Sequence, residues 1–403
     1  MANETILFMS STHKGDEILK AVKAAGAKVL LLIEEELKDE AWPWDAIDDL
    51  TLTPNLARYQ DVINTVTWMC RGQQIDLILP LDEFEVELVS MLREHLRLPG
   101  MGVTLSRRFR DKLVMRELAD RAKIPVPAFQ HVLNYDDLRD FMNRIEPPWM
   151  LKPRTEAGAM GIRKIHEPEQ LWRTLDDLGD RQSYYLLEEF LPGEVYHVDS
   201  LVVDDEIQFV SRQKYAEPPI DIYQGGGVFS TYTVPAESVD GEALTKINKT
   251  LIKTLGMVNG VTHAEFIKAH KDQQFYFLEI AARVGGAFVS DTIEQATGIN
   301  LWQEWGRLEL ALLRGESYQL PPQKQTFAGL VLTLARQERP DTQAYDAPEI
   351  VWRVDKPYHA GLIVVSDDHE RMLSLVKDYR QRFLHDFSTS APPMDAQRTG
   401  YNE

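Results

Sequence analysis

A chain of 403 residues exceeds what one ordinary hydrophobic core supports, so two to four domains or subdomains of roughly 100–200 residues are expected. Hydrophobic residues at 44% and charged residues at 27% are the balance of a folded, soluble chain, in which only the tail Pro392 to Glu403 reads as loose. A formal charge of −19 and the lack of any strong basic cluster argue against binding nucleic acid or an anionic membrane, and the single cysteine, Cys70, excludes an intrachain disulfide.

No basic-then-apolar segment opens the sequence and no run of about 18 apolar residues occurs. A cytoplasmic chain is the expectation. Cys70, inside an apolar run, reads as a buried structural thiol.

Thr5 to Met9 reads as a buried strand, Lys14 to Ala25 as an amphipathic helix closed by Gly26, and Lys28 to Ile33 as a second strand, together a βαβ unit. A strand at Ile75 to Pro80 and a helix at Glu85 to His95 continue the alternation. The first hundred residues therefore predict a small parallel sheet, whose ligands gather at the carboxyl ends of the strands, near Ser10 to Thr12 and Asp82 to Phe84. Ordinary turn chemistry explains those segments equally well.

Helical spacing runs from Ser106 to Lys123, with Arg107, Arg108 and Arg110 spread round a solvated helix start, until Pro125 and Pro127 extend the chain. Short strands and turns then dominate up to Ile165, and a helix is expected at Glu167 to Leu178. Strands follow at Tyr184 to Glu189, Val195 to Val203 and Glu206 to Arg212. A helix at Glu242 to Leu255 precedes a hairpin of Val261 to Ala269 and Gln274 to Ala282. Helices at Asp291 to Thr297 and Leu301 to Leu313 come next. A terminal α+β piece comprises Phe327 to Leu334, Ala360 to Val365 and a helix at His369 to Phe383.

The absence of any Gly-Lys dipeptide excludes a Walker A loop, and neither a Gly-x-Ser-x-Gly elbow nor a His-Glu-x-x-His helix is present. The most informative pattern lies in the late hairpin. If it turns about Asp272, Glu265 and Glu279 are equidistant from the turn and face each other across the ladder. Two like charges opposed within apolar strands call for a cation, and oxygen-only ligands point to Mg²⁺ or Mn²⁺. A solvent-exposed sheet face remains the alternative. Strand alternation places Ala281 and Arg283 on the face of Glu279, ahead of Gly285-Gly286, where backbone can approach a ligand closely.

Lys152 ends an apolar strand and leads into the small-residue loop Gly158 to Gly161, an arrangement suited to phosphate, although many hairpins carry the same residues. Tyr185 to Glu194 runs from a strand into an acidic, Pro-Gly-terminated corner that can offer backbone groups to an adenine and a carboxylate to ribose, or can be an ordinary strand-to-turn junction. Lys214 to Gly227, with Tyr215 and three glycines, reads as a substrate loop or a flexible connection. His263 is more often a hydrogen-bonded sheet residue than a ligand.

In order, Asp111-Lys112 opening a helix that ends in Ile124-Pro-Val-Pro127, Leu151-Lys152-Pro153 with its Gly loop, Glu188-Glu189-Phe190-Leu191-Pro-Gly-Glu194, Glu265, and Glu279-Ile-Ala-Ala-Arg283-Val-Gly-Gly resemble the ATP-grasp superfamily over roughly residues 1–320. The last motif is most similar to its carboxylate–amine ligase branch, which links amino acids. The resemblance implies a mixed α/β and α+β multidomain fold. It divides into a Rossmann-like pre-ATP-grasp domain (1–105), an ATP-grasp domain (106–320) with a mobile lid at about 125–187, and a small C-terminal α+β domain (321–403).

It further implies that Lys112 and Lys152 contact the phosphates of ATP, under a lid made by the Gly158 to Gly161 loop. Glu188, Glu189 and Leu191 would hold adenine, Glu194 ribose, and Glu265 and Glu279 Mg²⁺. Arg283, with Gly285, Gly286, His263 and Tyr215, would face the substrates, and Arg283 and Lys152 would be the catalytic pair. Ala281 departs from the asparagine many members carry, which leaves a second metal with fewer ligands. The expected partners are a small carboxylate and an amine, and the fold suggests a homodimer. An ATP-grasp carboxylase or purine-pathway ligase, and a noncatalytic nucleotide-binding module, are the competing readings.

Overall fold

A computed structural model describes residues 4–390, so the expectation of a loose tail at 392–403 lies outside the described residues. Strand β1 (Thr5–Ser10) is buried along its whole length, because helices cover both faces of its sheet. The other elements of this first unit are α1 (Asp16–Ala24), β2 (Lys28–Glu34), β3 (Asp49–Thr53), α2 (Tyr59–Met69), β4 (Leu77–Pro80) and α3 (Val86–Leu96). The four strands are parallel in the order β3-β2-β1-β4. Ile6 and Phe8 of β1 pack on Ile18 and Val22 of α1, whereas Leu7 and Met9 pack on Val62, Val66 and Leu92 from α2 and α3. The period-two alternation of an all-apolar strand thus feeds two separate cores.

The helix expected over 106–123 is broken. A short turn, α4 (Val103–Ser106), runs into a 3₁₀ turn at Arg107–Phe109, and α5 (Lys112–Arg121) begins afresh with Asp111 accepting the N–H of Leu113 as its cap. This interruption turns Arg110 inward, so the solvated helix start holds for Arg107 but not for Arg110, which is only 3% exposed.

Next come β5 (Phe129–His131), α6 (Tyr135–Arg144), β6 (Trp149–Pro153), β7 (Arg163–Ile165), α7 (Pro168–Leu178) and β8 (Tyr185–Glu189), which make an antiparallel sheet in the order β5-β8-β6-β7. The third unit begins with β9 (Gly193–Val203), β10 (Glu206–Tyr215), α8 (Pro219–Gly225), β11 (Phe229–Thr233), α9 (Val239–Leu255), β12 (Gly260–Ala269) and β13 (Phe275–Ala281). It continues through α10 (Val289–Thr297), α11 (Leu301–Arg314), β14 (Phe327–Leu334), β15 (Ile350–Arg353), β16 (His359–Ser366) and α12 (His369–Asp386).

Its eight strands form one antiparallel sheet, β13-β12-β9-β10-β11-β14-β16-β15. The terminal strands therefore extend the central sheet, with β14 hydrogen-bonded directly to β11. Helix α11 packs against α1, and its Trp305 and Leu308 join the first core, which ties the central sheet to the first unit. Cys70 is half-buried at the edge of the second core rather than within it. No helix among the described residues is long and apolar enough to cross a membrane.

Candidate active site

The hairpin register is the one its symmetry predicts. Glu265 of β12 stands opposite Glu279 of β13, and a bulge follows directly after Glu265. On the other side β12 pairs with β9, so that His197, Glu265 and Glu279 form one cross-strand row and Asp199, His263 and Ala281 the next. Because alternate residues share a face, six side chains from three strands are presented together. Tyr215, at the end of β10, donates its hydroxyl to Glu265 Oε1 at 2.9 Å.

Each acidic group is neutralised from within. Lys112 Nζ, at the start of α5, lies 3.0 Å from Glu279 Oε2 and also donates to Glu156 O in the glycine loop at 2.6 Å. Burial alone would raise the pKa of Glu279, but Lys112, with Lys152 and Arg116 behind it, outweighs burial and holds the carboxyl at about 2. Asp199 receives His197 Nδ1 at 2.7 Å on one oxygen and His263 Nδ1 at 2.9 Å on the other. Burial opposes charge on His263, yet Asp199 and Glu265 raise its pKa to about 10 and make it an imidazolium at neutral pH. The ligand atoms of His197, Asp199 and His263 lie within 4.8 Å of one another, but they are already committed to each other.

Arg283, just beyond β13, reaches the first unit: its Nε donates to Glu83 Oε2 at 2.8 Å, and Arg110 Nη1 donates to Glu83 Oε1 at 2.5 Å. Glu83 follows β4, so one carboxylate joins two guanidinium groups across the unit boundary. A cavity of about 170 Å³ opens over this constellation. It is lined by Lys112, Gly158, Tyr215, His263, Glu265, Glu279, Arg283 and Gly286. Gly285 stands behind it, where a Cβ would come within 3.0 Å of Asp199 and His263.

The remaining sequence candidates, Gly158 apart, sit outside that cavity. Lys152 on β6 binds Glu188 Oε2 at 2.6 Å, and Glu188, wholly buried, also takes Arg116 Nε at 2.7 Å. Burial would raise Glu188, but Arg116 and Lys152 hold it below the usual carboxylate range. The backbone N–H of Glu189 is used by Ala128 O at 2.8 Å and its side chain by Lys271 at 2.8 Å. Leu191 lies in an apolar cluster with Val195, Tyr215 and Ile267, and Glu194 accepts Lys214 Nζ at 2.6 Å. In the glycine loop, Gly158 and Gly161 take φ of 61° and 68°, a left-handed conformation open to glycine at little cost. Both glycines thus have a backbone role.

Glu83, Arg110, Asp199, His197 and Arg116 were not singled out as functional from the sequence. For His197 and Asp199 a signal existed, two polar residues at period two inside an otherwise apolar strand. Glu83 was marked only as one of several strand-end residues. The pair Glu265 and Glu279 fits a hard divalent cation, since both offer oxygen only and both are held by hydrogen donors, Tyr215 and Lys112, that a cation would replace. Ala281 supplies no ligand.

Behind this site Glu85 is 1% exposed and accepts the N–H of Ser11 at 3.2 Å. Burial, and then the neighbouring charge of Asp82, raise its pKa to about 8 from an ordinary 4.5. The folded chain thus prefers Glu85 protonated, and that stability is lost as pH rises from the ordinary value through about 8. Glu85→Gln should therefore raise Tm relative to the unaltered chain by about 3 °C or more at pH 8.5 and by little at pH 4.5, measured by calorimetry. An equal shift at both pH values would place the burden elsewhere.

An ATP-grasp domain model matches residues 117–288. The L-arginine-specific L-amino acid ligase of Bacillus subtilis is 27% identical over 70% of this chain and 67% of its own length. The alanine–anticapsin ligase of Bacillus subtilis is 24% identical over 60% of this chain, and the match spans only 56% of that enzyme. Among solved structures, the L-amino acid ligase from Bacillus licheniformis superposes with a TM-score of 0.75 at 18% identity, over 97% of this chain and 99% of that one. The expected fold is the one found.

Proposed function

The chain carries an ATP-grasp domain, and from that premise we propose that it is an ATP-dependent carboxylate–amine ligase with an amino acid as one substrate and ADP and phosphate as by-products. The observation that carries this reading is the Glu265–Glu279 pair, opposed across one hairpin and set beside Lys112 and Arg283 in one cavity. A binding module needs no such opposed carboxylates with an arginine at their side.

In this reading Lys112 and Lys152 bind the phosphates of ATP. The Gly158 to Gly161 loop covers them with backbone N–H groups, and Glu188, Glu189, Leu191 and Glu194 line the adenine and ribose side. Glu265 and Glu279 would hold Mg²⁺ or Mn²⁺, which would supply positive charge to neutralise the phosphates. Arg283 holds the substrate carboxylate for attack on the γ-phosphorus, with cleavage of the bond to ADP. It then faces the oxyanion formed as the amine adds and phosphate leaves. Tyr215, His263 and the backbone of Gly285 and Gly286 shape the space beside it.

An α-amino acid suits the Arg283–Glu83 pair, because its carboxylate satisfies Arg283 while its ammonium satisfies Glu83, so that neither buried group is left uncompensated. The relative named as an L-amino acid ligase and the one named for alanine support this choice. The division into residues 1–105, 106–320 with a lid at about 125–187, and 321–403 belongs to the same proposal, as do cytoplasmic residence and a homodimer.

The test is phosphate release from Mg·ATP across amino acids, singly and in pairs, with hydroxylamine as a trap. Release that requires one acid and yields its hydroxamate is the expected result. ATP binding without release for any acid, bicarbonate included, would remove the ligase reading.

A further inference from the structure

A second cavity, of about 390 Å³, lies on the far side of Ala282, between the first unit and the central sheet. It is within the size range of small-molecule sites. Its walls are apolar: Leu77 from β4, Val86 from α3, Met101, Met257, and Leu312 and Leu313 from α11. Two charged side chains stand in its lining, Arg93 of α3 and Glu309 of α11.

Arg93 is 7% exposed and donates both Nε and Nη2 to a single carbonyl, that of Ile78, at 3.0 and 2.7 Å. Gly100, at φ +116°, lies so close that a Cβ there would come within 2.8 Å of the guanidinium carbon. The plane of the guanidinium is thereby fixed, and Nη1 has no partner among the described residues. Glu309 is held by one bond: Trp305 Nε1 donates to its Oε1 at 2.9 Å, and Oε2 has no partner among the described residues. The two groups attract each other without forming an ion pair. Burial pushes the Glu309 carboxyl up and the Arg93 guanidinium down, and their mutual attraction and hydrogen bonds offset only part of that cost.

We propose that this cavity binds an apolar α-amino acid, its carboxylate on Arg93 Nη1, its ammonium on Glu309 Oε2, and its side chain among Leu77, Val86, Leu312 and Leu313. A neutral apolar molecule would leave both charges uncompensated, and a fatty acid or an amine would leave one. A zwitterion satisfies both at once, and the walls select an apolar side chain. The site stands independently of the ligase reading. Its position gives it leverage over the catalytic cavity all the same, because Val86 follows closely on Glu83 and Ala282 adjoins Arg283.

Equilibrium dialysis with labelled L-leucine, L-methionine and L-phenylalanine tests the proposal on the full chain. Arg283→Gln removes the anchor of the catalytic cavity and should leave at least one probe bound, whereas Glu309→Gln and Arg93→Gln should each weaken that binding at least about tenfold. On the unaltered chain leucinol, which lacks the carboxylate, and isocaproate, which lacks the ammonium, should bind at least about tenfold more weakly than leucine. This ligand series decides the matter should a variant fail to fold. Binding abolished by Arg283→Gln but untouched by Glu309→Gln would place the amino acid in the catalytic cavity and overturn the proposal. So would the absence of saturable binding for all three probes up to about 10 mM.

Discussion

Replacing Glu279 by glutamine is expected to lower Mg·ATP-dependent phosphate release by about a thousandfold while ATP still binds. The carboxylate is one of two oxygen donors opposed across the hairpin, and its charge is kept by Lys112 at 3.0 Å. An amide removes one unit of negative charge from a half-buried site and leaves a divalent cation only one of its two opposed carboxylates. The fold should tolerate the change. An amide oxygen can still accept from Lys112, and Lys112 keeps its bond to Glu156 O at 2.6 Å. The checks are steady-state phosphate release, fluorescent-nucleotide binding and Mn²⁺ binding by electron paramagnetic resonance. Turnover retained at more than a tenth of the original would move the metal away from this pair, with the His197–Asp199–His263 cluster as the next place to look.

Glu265 and Glu279 were legible in the sequence because a short hairpin has one natural centre, and positions equidistant from Asp272 are bound to meet. Nothing beyond local geometry enters that inference. The first parallel sheet was legible for a related reason, since strands covered on both faces are written as unbroken apolar runs. β3 and α2 escaped: Asp49–Thr53 is half-exposed and carries no such run. The joining of β14 to β11 also escaped, because it pairs segments nearly a hundred residues apart and no local pattern records the partner.

Arg110 shows how a sound local inference fails. Its neighbours have helical spacing, but Asp111 caps a new helix, and the 3₁₀ turn before it rotates the arginine onto Glu83. The same holds for His263. Its pairing with Asp199 depends on β12 lying beside β9, more than sixty residues earlier, and only the assembled sheet reveals it.

Glu83→Ala is expected to cost about 3–5 kcal/mol of stability, because it strands two buried cations rather than deleting one contact. Arg110, 3% exposed, loses its partner at 2.5 Å, and Arg283 loses the acceptor of its Nε. Arg110 keeps the carbonyl of Thr155, and Arg283 that of Val284 and the Asp82 carboxylate at 3.8 Å. A fall in Tm of about 5 °C follows, read by calorimetry. Glu83→Gln should cost less than half as much, since an amide oxygen still accepts from either guanidinium while the charge is lost. Pairing Glu83→Ala with Arg110→Met should recover part of the loss, because the second change removes one of the stranded cations, and the double-mutant cycle measures the coupling. If Glu83 also receives the substrate ammonium, Glu83→Gln will raise KM for the amino acid far more than KM for ATP. Equal effects on both would confine Glu83 to holding the two arginines in place.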